Sequence, residues 1–544
     1  MTRNRSLAIL AAAAFLVGPV QAQCLLDQTT ASDADQSDFY GGSVSAWGRF
    51  VIVGAEYADS GGFDQGQVYV LERVGDQWVE TQILTHSDAG FDHRFGHATS
   101  IWENRIVAGA RYNDDFGYGT GSAYVFDFDG NTWTQTAKLL PSDAALGDLA
   151  GGSVAVFGDR VLVSAHGDDP NGADKAGAVY AFEFDGKAWN EVQWLVASDA
   201  DPDDRFGEHI AMWQDRAIFG ALADDGLAEN AGAAYVFEIG PDGKWFEAAK
   251  LTAPDGAEFD RMGNSVDIWG DLAIVGASLS GAQFQGSAYI FERTENGAWK
   301  FLQKLEPEGD PAGGAFGHHV VVFEDRIMVT AQNADLGDIN AAGAASIYRR
   351  QADGLFALEA YLQPKQPNIA MQFGSAGDLF RDLVAVGVRG SEVAAGYKSG
   401  EVDLFGGTGT TTQYLDACPG EISLQTGGAQ VLSIEAGPDQ ADRVFLVLGS
   451  LEGTSPGIAL DGYELPLVPD AYFLLTLDPN APSPLVGSFG LLDASGSATT
   501  TFEVSPGTDA SLAGLTAYHA LLVLDPATLA LRLVSDAVSV TLVP

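Results

Sequence analysis

Basic residues are scarce in this chain: 28 Lys and Arg stand against 74 Asp and Glu over 544 residues, a formal charge of −46. So anionic a surface repels phosphate, which excludes nucleic acid and anionic lipid as direct partners. Cysteine is nearly absent, with only Cys24 and Cys418. A disulfide framework or thiolate metal cluster is therefore out, and one bond is the most the chain can make. Long apolar runs are missing too, so no membrane-spanning helix of about 18 or more residues is expected. Catalytic signatures are equally thin: no Walker loop, dinucleotide fingerprint or His-Glu-x-x-His occurs. Gly453-Thr454-Ser455-Pro456-Gly457 has the spacing of a nucleophile elbow, but Pro follows the serine and no helix follows the strand. Chance explains it.

What is present begins with a secretory signal over residues 1–22. Arg3 and Arg5 precede the apolar stretch Leu7 to Val17, then Val20-Gln21-Ala22, with cleavage expected near Ala22–Gln23. A monomer secreted to the exterior or held in the cell envelope is the expectation. In that oxidising setting Cys24 and Cys418 read as a disulfide. The competing reading, a lipid on Cys24, meets Gln23 where a lipobox needs a small residue.

Glycine is abundant at 66 residues, and it is periodic. A bulky or apolar residue precedes a glycine at Tyr40-Gly41, Phe95-Gly96, Ala150-Gly151, Phe206-Gly207, Met262-Gly263, Phe316-Gly317 and Phe373-Gly374, at spacings of 54 to 57 residues. Six residues after each glycine stands Trp47, Trp102, Phe157, Trp213, Trp269, Phe323 or Phe380. An apolar run such as Val51-Ile52-Val53-Gly54-Ala55 follows, then a Gly-x-x-Tyr strand (Gly66/Tyr69, Gly121/Tyr124, Gly177/Tyr180, Gly232/Tyr235, Gly286/Tyr289) and a last strand led by Trp78, Trp133, Trp189, Trp245, Trp299 or Phe356. Four short strands per unit and seven units predict a seven-bladed β-propeller of four-stranded blades. Blades are expected near 32–86, 87–141, 142–197, 198–254, 255–308, 309–365 and 366–407. The seventh unit lacks a Trp-led strand, so residues 24–31 are expected to close the ring, where the Cys24–Cys418 bond would lock it.

These motifs resemble the FG-GAP repeat family, in the variant found in secreted bacterial proteins. The resemblance implies an integrin-α-like propeller over residues 23–411 and a role in extracellular recognition or adhesion. In integrin α subunits an Asp-x-Asp-x-Asp-Gly hairpin between the first two strands binds calcium. Here the equivalents are short turns such as Gly48-Arg49 and Gly158-Asp159-Arg160, so those sites do not carry over.

After residue 411 the composition shifts. Residues 412–544 hold 15 carboxylates and two basic groups, Arg443 and Arg532, with strand-sized apolar runs at Val444–Leu448, Tyr472–Leu475 and Ala520–Leu524. A C-terminal β-sandwich is expected.

In a propeller the loops between blades and the second-to-third loops emerge on one face. They carry 30 carboxylates against seven basic residues, so that face is expected to be anionic. Solubility alone would account for this; divalent cations or a basic partner are the functional readings. The candidate calcium loops are Asp199, Asp201 and Asp203, and Asp168, Asp169 and Asp174. A second constellation follows the blade glycines: His97, Glu208, His209, Asn264, His318 and His319, placed to ring the channel mouth. The leading function is an exported, non-enzymatic propeller that recognises an extracellular protein or glycan. The rivals are an exported hydrolase or lyase acting at the channel mouth, and a structural component of the cell envelope.

Overall fold

The structure, a computed structural model, describes residues 25–544 except 60–62, 75–76, 308–313, 338, 382, 393–397, 407–414, 419–420 and short stretches between 437 and 536. The signal segment, Cys24, the Gly-Thr-rich stretch after Gly406 and Ser455 lie outside the described residues. So does the Cys24–Cys418 pairing, since the side chains of the strand Leu415–Cys418 are not described.

Seven four-stranded antiparallel sheets follow one another. Their innermost strands are Ser43–Trp47, Phe95–Trp102, Val154–Phe157, Phe206–Trp213, Met262–Trp269, Phe316–Phe323 and Phe373–Phe380. Six sheets use four consecutive strands. The seventh takes its outermost strand from the N-terminus: Leu25–Thr29 pairs with Glu401–Phe405, Thr29 opposite Val402. Each innermost strand packs on the next, and the seventh on the first, so the blades form a closed ring.

Glycine sets how closely the blades approach. A Cβ on Gly54 would lie 2.0 Å from the Gly96 carbonyl oxygen of the next blade, and one on Gly66 would lie 2.0 Å from that of Phe95. Either side chain would force the blades apart. Gly66 also takes φ +82°, which favours glycine.

Polar side chains then join the blades. The innermost strands are edge strands, so their channel-side amides need acceptors. Four residues after the blade glycine, Ser45, Ser100, Asp267 and Asp378 accept from the N–H of Ile101 (3.1 Å), Val156 (3.2 Å), Val322 (2.7 Å) and Ala46 (2.7 Å) in the following blade. Where that position is Ala155, Ala211 or Val321, the residue two earlier takes over. Ser153 accepts from Ile210 (3.1 Å), His209 from Val266 (3.3 Å), and His319 Nε2 bonds the Gly377 carbonyl (2.9 Å). On the far face Arg105, Arg216 and Arg326 donate to the carbonyls of Gly158, Gly270 and Arg381, again in the next blade.

From Leu415 onward two sheets pack face to face, one of four strands and one of six. Leu432, Ile434 and Phe502 of the first meet Phe445, Val447, Leu521 and Val540 of the second in a shared core. One expectation is corrected: Tyr472–Leu475 lies in a short helix, Ala471–Thr476, not a strand. Asp470 caps it, its carboxylate accepting from the Phe473 N–H at 2.7 Å, and that local bond wins over sheet pairing. No helix among the described residues is long and apolar enough to cross a membrane.

Candidate functional site

Every innermost strand enters from the face that carries the long loops and leaves at the short turn on the other side. Position after the blade glycine therefore measures depth in the channel. Six residues down, Trp47, Trp102, Phe157, Trp213, Trp269, Phe323 and Phe380 form the floor. Their ring centroids lie 3.9 Å apart for Trp47–Trp102, 3.8 Å for Trp102–Phe157, 4.3 Å for Trp269–Phe323 and 4.9 Å for Trp47–Phe380. Only a pocket of about 120 Å³ remains among them. Above the rings is a cavity of about 520 Å³, lined by all seven blades and open toward the loops.

All six residues expected at the channel mouth line this cavity. Their chemistry divides them. His209 and His319 are the blade-to-blade links described above. Asn264 donates to the carbonyls of Gly317 and His318 (3.0 and 2.9 Å) and accepts from the Ser278 N–H (3.0 Å), so it too ties blades together. Burial, with His319 nearby, pushes His209 and His318 down to about 3, and burial pushes His319 down to about 4, so all three are neutral. His97 Nδ1 meets Glu56 at 2.8 Å. Buried polar atoms without a hydrogen-bond partner remain on Glu208 (Oε2) and His318 (Nδ1).

The sequence reading missed a second ring, supplied by the residue that follows the small-residue end of each second strand. Glu56, Arg111, His166 and Arg389 share that register. Burial raises the Glu56 carboxyl, but His97, Arg111 (3.4 Å) and Arg389 (3.8 Å) outweigh it and hold the group near 2. The Nε of Arg111 and of Arg389 are buried and unpartnered. Deeper, burial pushes Asp267 up to about 8 and Asp378 up to about 7, against the amides that each accepts.

The acidic loops prove to be built largely from internal bonds. Asp33, Asp88, Asp143, Asp199 and Asp255 accept from the hydroxyls of Tyr69, Tyr124, Tyr180, Tyr235 and Tyr289 at 2.7–2.9 Å. A second acid, buried in Asp38, Asp148, Asp204 and Asp260, accepts the N–H three residues before it at 2.6–2.8 Å. Of the calcium candidates, Asp199 is held by Tyr235 and Lys250 (both 2.7 Å), while Asp201 and Asp203 are exposed. Asp168 shares the Tyr180 hydroxyl with Asp143, Asp169 accepts from the Lys175 N–H at 2.8 Å, and Asp174 is exposed. Among the described residues no three His, Cys, Asp or Glu converge as metal ligands.

The loop-bearing face also carries apolar side chains in the open. Phe63, Phe91, Phe116, Tyr118, Leu146, Leu227, Phe259, Phe284 and Ile369 lie there, with relative exposures from 44% to 73%. Phe63 of one loop stacks on Phe91 of the next at 5.5 Å.

Five segments match the FG-GAP repeat: residues 27–71, 78–126, 133–182, 189–237 and 245–291. Each runs from the outermost strand of one sheet to the third strand of the next, so repeat and blade are out of phase by one strand. No curated protein matches the chain.

Proposed function

Taking as premise that the chain carries FG-GAP repeats and folds as their propeller, we propose that it is an exported recognition protein whose loop-bearing face docks a basic, amphipathic polypeptide. Export rests on the N-terminal 22 residues. The observation that carries the binding face is the nine exposed apolar side chains set among carboxylates on that face. Exposed apolar groups clustered on one surface are characteristic of interaction sites, and the surrounding negative charge selects a cationic partner. The apolar residues supply area and the acids supply steering. A neutral glycan would use the aromatic rings but gain nothing from the acids, so the charge favours protein.

The test is biolayer interferometry on an immobilised Lys/Leu amphipathic peptide, with a neutral glucan oligomer as the contrasting arm. Binding to the peptide should weaken about tenfold in the charge-preserving triple variant Phe63→Ser/Phe91→Ser/Phe116→Ser. Binding that survives the triple change unaltered is bulk charge attraction and sinks the proposal, as does preference for the glucan. The rival reading, hydrolysis or elimination in the channel, would have to use His97, Glu208 and His318, since His209, His319 and Asn264 are occupied with backbone groups.

A further inference from the structure

The channel mouth opposes the molecule's bulk charge. Arg389 and Arg261 line the cavity beside the carboxyl of Glu208, while burial pushes the two other acids of its wall up, Asp267 to about 8 and Asp378 to about 7. Directly behind the wall, Glu56 lies between Arg111 and Arg389 and is already met by His97. One carboxylate against two guanidinium groups leaves positive charge in excess. The acidic rim does little to cancel it, because screening at physiological salt acts over about 8 Å.

Unmet hydrogen-bonding capacity lies in the same place and is of two kinds. Arg389 Nε on the wall and Arg111 Nε behind it are buried donors without acceptors, whereas Glu208 Oε2 is a buried acceptor without a donor, and His318 Nδ1 on the wall is also unpartnered. A buried polar group left unpaired costs about 1–3 kcal/mol, so each of these atoms calls for a partner. Blade 1 leaves room for one: its residue after the blade glycine is Gly42, where blades 2, 4 and 6 carry His97, Glu208 and His318. The cavity is of the size that takes small molecules, and eight Ser and Thr residues set hydroxyls between the aliphatic side chains of its wall.

We propose that this cavity binds a small hydroxylated organic anion of the sugar-acid type, its carboxylate received on the Arg389 and His97 side and a hydroxyl donated to Glu208. A fatty acid would meet a polar wall, a neutral sugar would leave the guanidinium groups unmet, and an amine would face excess positive charge. The site is separate from the loop-face docking surface, and the two stand or fall independently.

Calorimetric titration of the full-length protein tests this with D-glucuronate, D-glucose, D-glucosamine and inorganic phosphate as probes. D-glucuronate should bind saturably, at least about tenfold tighter than D-glucose or phosphate. Arg389→Gln and Glu208→Gln should each weaken it about tenfold or more, with Arg389→Lys retaining part of the affinity and guarding against a folding defect. The Phe63→Ser/Phe91→Ser/Phe116→Ser variant should bind it as the parent does. No saturation by about 10 mM means that water alone fills the cavity and overturns the proposal. Equal binding of D-glucose or D-glucosamine overturns the anion assignment, and equal binding of phosphate overturns the hydroxylated body.

Discussion

At the scale of single residues, the third blade stands apart in its charge balance. In the fourth, the ammonium of Lys250 sits 2.7 Å from both Asp199 and Asp224, which also accept from Tyr235. Lys138 bridges Asp88 and Asp115 in the second blade in the same way. The third blade keeps the acids, Asp143 and Asp168, around Tyr180, but Trp194 occupies the lysine register, opposite Tyr180 as Lys250 is opposite Tyr235. Tyr180 has one proton to donate and two carboxylates to satisfy. Burial, with the Asp143 charge adding, pushes Asp168 up, against the Tyr180 bond. Trp194→Lys should therefore raise the Tm at pH 8, and the gain should shrink at pH 5, where protonation already relieves the pair. A Tm at pH 8 that is unchanged or lower counts against this account. Conversely, Lys250→Met should cost about 1–2 kcal/mol, below the value for a buried pair because the lysine side chain is 23% exposed. Chemical denaturation reads this directly; a change within error would mean that solvent replaces the ammonium.

At the scale of strands and loops, the buried carboxyls that brace the loops and link blades titrate in an unusual range. Burial pushes Asp38, Asp148 and Asp204 up to about 6, Asp378 and Asp403 to about 7, and Asp267 to about 8. A carboxyl with a folded pKa above its unfolded value near 4 binds protons more tightly in the fold. Its contribution is complete below about pH 4 and is lost as pH rises through 6 to 8. Glu56, held near 2, works the other way, losing its contribution as pH falls below about 4. Below about pH 6.5 the buried His209, His318 and His319, held at about 3 to 4, oppose the acids, because the unfolded chain takes up protons that the fold refuses. Above it only the raised acids titrate, so the Tm should fall from about pH 6.5 to pH 8.5. A Tm that is flat or rising over that range contradicts the assignment, and Asp267→Asn/Asp378→Asn should flatten the slope. Ring closure makes its own demand: removing residues 1–31 exposes the edge Glu401–Phe405 and should lower the Tm by several degrees, with partial rescue by a peptide spanning residues 24–31. An unaltered Tm would show that the strand is dispensable.

Much of this architecture was legible beforehand, because glycine, aromatic and tyrosine positions recur in register and each has a fixed place in a blade. The site was legible in part. Histidines after the blade glycine announced the mouth, but nothing local told His209, which holds a backbone amide, from His318, which has an unpartnered nitrogen. Arg111 and Arg389 are in sequence two of the seven basic residues on the acidic face, and their convergence on Glu56 depends on three blades meeting across the ring closure.

At the scale of the whole molecule, the charge divides into two different situations. In the propeller many acids are fixed on tyrosine hydroxyls, lysine ammonium groups or backbone amides, so salt has little repulsion to relieve. The C-terminal sandwich has 15 carboxylates against Arg443 and Arg532, and both arginines meet Asp525 at 3.2 Å. Its repulsion acts through solvent, where screening length falls from about 10 Å at 0.1 M salt to about 3 Å at 1 M. None of the hydrophobic clusters among the described residues mixes side chains from the two parts, so the sandwich should unfold on its own. Calorimetry should therefore show two transitions, and added salt should move the sandwich's upward more than the propeller's. Deleting residues 412–544 should remove the sandwich's transition and leave the propeller's within about a degree, since distant, independent contributions add. A single transition, or a propeller Tm that drops by several degrees on the deletion, would mean that the two parts stabilise each other.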